Sequence, residues 1–358
     1  MSISADGRKR VVFAYRFGLL GGVSAQLLNR FPSFSERYDV SILFEFDYGM
    51  VARFPPGVAR VTKSADEKVE AIRELDPDIF LVIDSPLFLP AWHDAGAPGR
   101  LMVEVHTTTR NVAYLEELTS DQGISAFITV SDYMAQSLRT DGLDAIAPIF
   151  IVSNCLDERW FRDPAIQELP ERPLLWVGKL DTHKRWRAAL DVMDDVHGRL
   201  HDASVQPVIV GGYTAPAAEI KAFLKRLYAS PALRDGYWWP QVDYGHMPTL
   251  YRSSARAGGG LLLTTRNESF GMAPAEALLM GCPVIAPAVG ALPELLPEQA
   301  LYDPEDWEAA AAKTTQMLED PEFRQSLLQT QDRVREIVRP ETAVEAFETA
   351  IANGASGA

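Results

Sequence analysis

Short apolar runs recur along the chain, each followed by a stretch with helical spacing. In the first half they are Val11–Tyr15, Val40–Phe44, Ile79–Ile83, Leu101–Val105 and Ala126–Val130. Their length, their β-branched content and the helix-sized gaps between them predict strands of a parallel sheet buried on both faces. The pattern breaks near Ile149–Ser153, and the segment from Arg162 to Pro173 is rich in proline and charge, as a linker is. A second alternation then begins. Leu174–Val177, Pro207–Val210, Gly260–Leu263 and Pro283–Ala286 read as strands, and Arg187–Leu200, Ala217–Tyr228, Pro274–Met280 and Glu305–Leu318 as helices. Glu322–Ala352 reads as mostly helical. The pattern predicts an α/β protein of two successive doubly wound units, which bind ligands beyond the carboxyl ends of their strands.

Length and composition agree with two domains. At roughly 150 residues per domain, 358 residues make about two, and 47% hydrophobic residues suffice for a core in each. The 34 Lys and Arg against 49 Asp and Glu leave a net charge of −15. A nucleic-acid partner or an anionic membrane surface would reward the opposite sign, so neither is expected. Cys155 and Cys282 are too few for a disulfide framework or a four-thiolate zinc site. The polar Met1–Arg10 lacks the apolar core of a signal peptide, and no window approaches the ~20 apolar residues of a membrane span. A reduced, cytoplasmic protein without a transmembrane segment is expected.

Candidate chemistry concentrates between Arg266 and Val284. Glu268 follows the Gly260–Leu263 strand, Gly271 permits a tight turn, and Pro274 suits the first turn of a helix. The N–H groups of that turn can receive an anion, with the helix dipole assisting. Glu276 falls inside the helix. Carboxylates repel phosphate, so the two glutamates suit hydrogen bonds from sugar hydroxyls on either side of it. The plainer alternative is a capping glutamate and a surface glutamate.

Three further stretches follow strands. In Val177–Lys184, Lys179 and Lys184 stand five positions apart around a turn. Two such cations can clasp a diphosphate and neutralise charge on it as it leaves, although a solvated basic turn would have the same composition. In Gly18–Ser24, Gly21 and Gly22 let the backbone approach a ligand just before a helix. The glycine spacing is not that of a dinucleotide fingerprint. His106 ends the Leu101–Val105 strand, where its side chain can point into a cleft and hydrogen-bond a hydroxyl; a structural histidine is the alternative.

The Arg266–Val284 stretch, with two glutamates separated by seven residues, resembles the signature of the retaining GT-B glycosyltransferases of the GT4 family. In that family the first glutamate contacts the donor sugar and the second the nucleotide ribose, which implies those roles for Glu268 and Glu276. Phe270, Gly271 and Met272 would supply the turn. Gly178–Lys184 is similar to the family's Gly-Arg-Leu turn and lysine, with Lys179 in place of arginine and Arg185 in place of a following glycine. Gly21 and Gly22 match the N-terminal glycine loop, Gly211 the strand-end loop near the nucleotide, and His106 a sugar- or acceptor-contacting histidine. The resemblance is dense from about residue 174 to 300 and thinner, but in register, from 11 to 155.

It implies a GT-B fold, two Rossmann-like domains facing a central cleft: residues 1–153 on the acceptor side and 154–337 binding the nucleotide-sugar, with 338–358 packing back on the first. It implies a hexosyltransferase with Glu268, Lys184, Lys179 and His106 as its catalytic residues. Sugar would pass from a UDP- or GDP-linked donor, UDP favoured, to a hydroxyl of a small molecule or glycan. Neither cofactor nor metal is expected, because the lysines supply the positive charge. A phosphorylase or hydrolase, or a non-catalytic donor-binding partner of another transferase, would share the scaffold.

Other features read as structural. Asp76–Pro77–Asp78 has the spacing of a metal-binding Asp-x-Asp but sits at a turn entering a strand. His197 and His201 lie four apart without a further ligand at metal spacing. Ser131 reads as a helix cap, and Tyr237–Trp238–Trp239 as packing.

Overall fold

The five apolar runs of the first half become neighbouring parallel strands. In a computed structural model, residues 7–108, 110–162, 164–200 and 205–354 are described, the side chains of 110–112 and 160 excepted. The chain divides into two compact units, Met1–Asp157 with Ile337–Ala358, and Glu158–Glu336.

The first unit is built on β1 (Lys9–Gly18), β2 (Tyr38–Asp47), β3 (Ala59–Val61), β4 (Ile79–Ile83), β5 (Arg100–Val105), β6 (Ile124–Thr129) and β7 (Ile149–Ile151). They form one sheet in the order β3-β2-β1-β4-β5-β6-β7, every pair parallel. All five residues of β4 are buried, as a strand covered by helices on both faces requires. The break near Ile149 is itself the edge strand β7, whose half-buried residues are too few for a recognisable run. Gln26 and Asn29, on the helix Gly22–Arg37, accept the backbone N–H groups of Cys155 and Asp157 at 3.0 and 2.9 Å, tying the chain beyond β7 to this unit.

The C-terminal helix Pro340–Asn353 completes the same core. Phe347 lies 5.2 Å from the ring of Phe34 and 5.7 Å from that of Tyr38. Burying a side chain of that size contributes about 1.5–3 kcal/mol. Ser131 caps its helix by accepting the Met134 N–H at 3.2 Å. Asp76 closes a helix in the left-handed conformation (φ 41°), and Asp78 accepts the Arg10 N–H at 2.8 Å, so both acids of the Asp-Pro-Asp turn serve the chain itself.

The second unit carries β8 (Pro173–Val177), β9 (Gln206–Val210), β10 (Tyr237–Trp239), β11 (Gly260–Leu262), β12 (Val284–Pro287) and β13 (Leu301–Tyr302). Their order is β10-β9-β8-β11-β12-β13, again all parallel. The aromatic cluster forms the edge strand: Trp238 packs on Phe223 at 5.1 Å and donates to the Gly211 carbonyl at 2.9 Å. His201 lies outside the described residues.

Strand order reverses between β1 and β4 in one sheet and between β8 and β11 in the other. Such reversals splay the flanking loops apart, which leaves a crevice beyond the carboxyl ends of the strands. The loops after β1, β8 and β11 are those carrying Gly21–Gly22, Lys179–Lys184 and Glu268.

Candidate functional site

In the second unit the loops after β8 and β11 are joined at their bases. Thr264 receives the Trp176 indole N–H at 3.1 Å, and its hydroxyl reaches the carbonyls of Lys184 and Arg185 at 2.9 and 3.2 Å. The Arg266 backbone N–H donates to the His183 carbonyl at 2.8 Å. Asp181 turns the lysine loop by accepting the Lys184 N–H at 2.7 Å. Above these ties the Lys184 ammonium and the Glu268 carboxylate form a partly buried ion pair. Two residues 84 positions apart in sequence are thereby brought into contact. Lys179 is exposed at the start of the same loop and makes no ion pair among the described residues.

Glu268 is held from its backbone as well. Its N–H donates to the Asn267 side chain at 2.8 Å, and its carbonyl accepts the Ala291 N–H at 2.9 Å. Gly290 (φ 56°) lies so close that a Cβ there would overlap the Glu268 carbonyl oxygen. Gly211 (φ 124°) presses equally hard on the Gly178 carbonyl, so the loop after β9 braces the start of the lysine loop. Gly271 (φ 100°) starts the helix Met272–Leu279 in the left-handed region that glycine alone enters freely. Phe270 is buried, leaving its backbone for any ligand, while Met272 is half-buried.

Arg185, in the position of the resemblance's glycine, adopts φ 52°. A left-handed conformation costs a non-glycine residue about 1–2 kcal/mol. The guanidinium offsets this: it donates to the Pro304 carbonyl at 2.9 Å and to Glu305 at 2.5 Å, and lies 5.4 Å over the Trp307 ring. Arginine at this position therefore adopts a backbone that glycine enters freely, and its side chain adds an anchor.

Glu276 is wholly buried in the helix after Gly271, rather than presented at the surface. Tyr244 donates to its Oε1 at 3.1 Å, and the phenol of Tyr251 lies near without forming a hydrogen bond of good geometry. Burial pushes the carboxyl up to about 7, with the two tyrosines opposing the rise. The folded chain thus holds a proton that the unfolded chain releases near 4.5, so this group's stabilising contribution is present below about pH 4.5 and lost as pH rises through 7. Glu276→Gln is expected to match the parent in stability near pH 4.5 and exceed it at pH 8, by on the order of 3 kcal/mol. Urea denaturation at both pH values checks this; a constant difference would show that Glu276 does not titrate between them.

The first unit has its own loop cluster. Gly21 is extended (φ −168°) and caps the helix Gly22–Arg37. No heavy atom lies within 4 Å of a Cβ built on Gly22, and only the Leu19 carbonyl at 3.9 Å approaches one on Gly21. His106 does not project freely from the end of β5. It is 6% exposed, with Nε2 2.7 Å from Glu104 Oε1, because an ionised carboxylate below the strand end captures the ring. Arg30 pairs with that carboxylate at 2.7 Å. Burial would raise Glu104, but Arg30 and then His106 outweigh it and hold it well below the usual carboxylate range.

Sequence reasoning did not single out Thr264, Asp181, Tyr244, Arg30 or Glu104. Thr264 and Tyr244 act on partners far away in sequence and carry no local spacing signal. Glu104 left a trace: a glutamate inside an otherwise apolar strand demands a buried partner.

Residues 158–333 match the family described as Glycosyl transferases group 1. The second unit carries a glycosyl transferases group 1 domain. Over 164 residues, 44% of this chain, the sequence is 27% identical to Sulfoquinovosyl transferase SQD2 of Arabidopsis thaliana, and the match spans 28% of that protein's length. The structure of Anabaena Alr3699/HepE in complex with UDP-glucose aligns with a TM-score of 0.78 at 14% identity, covering 96% of this chain and 100% of that one. Sucrose-phosphate synthase from Thermosynechococcus elongatus aligns with a TM-score of 0.72 at 15% identity, covering 96% and 99%. At such identities the likeness establishes the fold, the two Rossmann-like units of GT-B glycosyltransferases. The glycosyl transferases group 1 domain holds Lys179, Lys184, Gly211, Glu268, Phe270, Gly271, Met272 and Glu276, while His106, Gly21 and Gly22 lie in the other unit. Among the described residues no helix is long and apolar enough to cross a membrane.

Proposed function

We propose that this chain is a retaining glycosyltransferase of the GT4 type, moving a hexosyl group from a UDP-sugar to a hydroxyl of a small molecule or glycan. The Lys184–Glu268 pair carries the reading. It stands beyond the carboxyl ends of the two strands where the sheet order reverses, inside a glycosyl transferases group 1 domain. A cation and a carboxylate side by side suit a ligand that joins a diphosphate to a polyol. Lys184, with Lys179, neutralises the charge that grows on the departing diphosphate, a role that elsewhere falls to a divalent metal. Glu268 accepts hydrogen bonds from the sugar, and Glu276 from the ribose, exchanging its Tyr244 hydrogen bond for those of the ribose hydroxyls. The acceptor attacks from the face that the nucleotide leaves, so configuration is retained without a protein nucleophile.

Thermal denaturation with UDP, UDP-glucose and GDP, each with and without EDTA, tests the donor. Ligand at ~100 times its dissociation constant adds about 2.7 kcal/mol. Stabilisation by UDP and UDP-glucose, unchanged by EDTA and followed by UDP release when an acceptor is added, is the expected result. No stabilisation by any nucleotide would overturn the reading. Binding without turnover would point to a donor-binding partner of another transferase.

Gly22 offers a second check. Its conformation and surroundings accept a methyl group, and alanine is the better helix former by up to about 1 kcal/mol. Gly22→Ala is expected to hold or raise the melting temperature while weakening substrate binding, since the open space is what a ligand uses. Unchanged binding would remove Gly22 from the site.

A further inference from the structure

We propose that Glu104, clamped by Arg30, is a positioning residue that holds His106 in its Nε2–H tautomer and leaves Nδ1 to accept a hydrogen bond from a substrate hydroxyl. This rests on the transferase reading above together with the expectation, implied by the family resemblance, that His106 contacts sugar or acceptor, and extends it to the two buried charges behind the histidine.

The Arg30–Glu104 pair lies almost entirely out of water, at 1% and 0% exposure of the side chains. Nη1 reaches both carboxylate oxygens, at 2.7 and 2.8 Å, and Nη2 donates to the Val152 carbonyl at 3.3 Å. The guanidinium lies 5.7 Å over the Phe34 ring. Desolvating two charges costs several kcal/mol per ion, and apolar side chains of the same volume often stabilise a fold as well or better. Packing alone therefore does not call for a charged pair here. What the pair supplies is an acceptor at a fixed point under the end of β5, and His106 is the group that uses it.

The chemistry then selects one tautomer. An ionised carboxylate has no proton to donate, so the nitrogen 2.7 Å from Oε1 must carry the hydrogen. In the neutral ring the lone pair falls on Nδ1. Among the described residues Nδ1 has no hydrogen-bond partner, yet it is not sealed among the buried unpaired atoms. The backbone is fixed from the other side: Asp84 (φ 44°) accepts the His106 N–H at 2.9 Å and the Thr107 N–H at 3.4 Å through Oδ1. The ring thus has one nitrogen committed to the protein and one offered outward. Arg30 belongs to the helix that begins at Gly22, so a single helix presents the glycine loop and orients the histidine.

The test uses the full chain labelled with 15N-histidine, without ligand, and reads the His106 ring nitrogens by long-range proton–nitrogen correlation. A protonated Nε2 with a bare Nδ1 is expected; the Nδ1–H form would overturn the proposal, whether or not the chain proves to be a transferase. Arg30→Met combined with Glu104→Gln removes the pair as a whole and leaves no buried charge alone. With circular dichroism unchanged, this variant is expected to show averaged ring nitrogens. Turnover of UDP-glucose is expected to fall ten- to a hundredfold, while the affinity for UDP, which has no sugar to orient, stays unchanged. A variant that keeps the parent's tautomer, or loses it with full turnover, would overturn the positioning role. Absence of UDP-glucose turnover in the parent would count against the transferase reading, and the tautomer measurement would still decide the clamp.

Discussion

Lys184→Met is expected to lower kcat/KM for UDP-glucose about 10²–10³-fold and to weaken UDP binding, with little change in stability. The kinetic loss follows from removing the positive charge beside a departing diphosphate, where preorganised donors commonly contribute that much. The stability change stays small because Lys184 and Glu268 are only partly buried, and ion pairs reached by solvent contribute about 1 kcal/mol or less. Glu268→Gln is the informative companion. It frees the ammonium from its carboxylate, so UDP should bind as well or better, while turnover falls about 10²–10³-fold as the sugar loses its orienting acceptor. Opposite effects on UDP affinity with parallel losses in turnover would place the lysine on the phosphates and the glutamate on the sugar. Two variants with undiminished turnover would remove the pair from the reaction.

Gly211→Ala is expected to destabilise the second unit by about 3 kcal/mol or more and to weaken donor binding with it. At φ 124° any side chain is strained, typically by 1–3 kcal/mol, and the new Cβ would overlap the Gly178 carbonyl oxygen. Neither backbone can yield without moving the first residues of the lysine loop, so the damage reaches Lys179. Gly198→Ala is the control. Gly198 lies in the helix Trp186–Leu200 with nothing within 4 Å of its Cβ position, and there the same substitution is expected to stabilise by about 1 kcal/mol. Chemical denaturation of both variants separates the signs. Equal effects would mean that the Gly178–Gly211 approach is not a constraint.

The glutamate helix shows how far local pattern reaches. Gly271, Pro274 and Glu276 locate a strand, a turn and a helix start within a short window, because each residue's conformational preference acts on its own backbone. The window does not reveal that Glu276 faces inward, since that depends on Tyr244, an aromatic 32 positions earlier. Arg185 is similar. Its sequence position marks a departure from glycine, but only the structure shows its left-handed backbone and the guanidinium anchored at Pro304, Glu305 and Trp307.

Edge strands were the least legible elements. The apolar runs of β1, β2, β4, β5, β6, β8, β9, β11 and β12 stand out because these strands are covered on both faces. β3, β7, β10 and β13 are short, and each lies at one end of its sheet, so no periodicity announces them.

By itself the sequence determined two α/β units and the loops that carry the charged and glycine-rich residues, whose composition suits a diphosphate and a polyol. Local conformational preference and hydrophobic periodicity act over a few residues, which is the range that sequence pattern can report. Tertiary structure alone decided which charges meet. It paired Lys184 with Glu268, buried Glu276 against Tyr244, and set His106 on a carboxylate held by Arg30. Those contacts join residues tens of positions apart, and their energies depend on burial, a property of the folded chain that no stretch of sequence possesses.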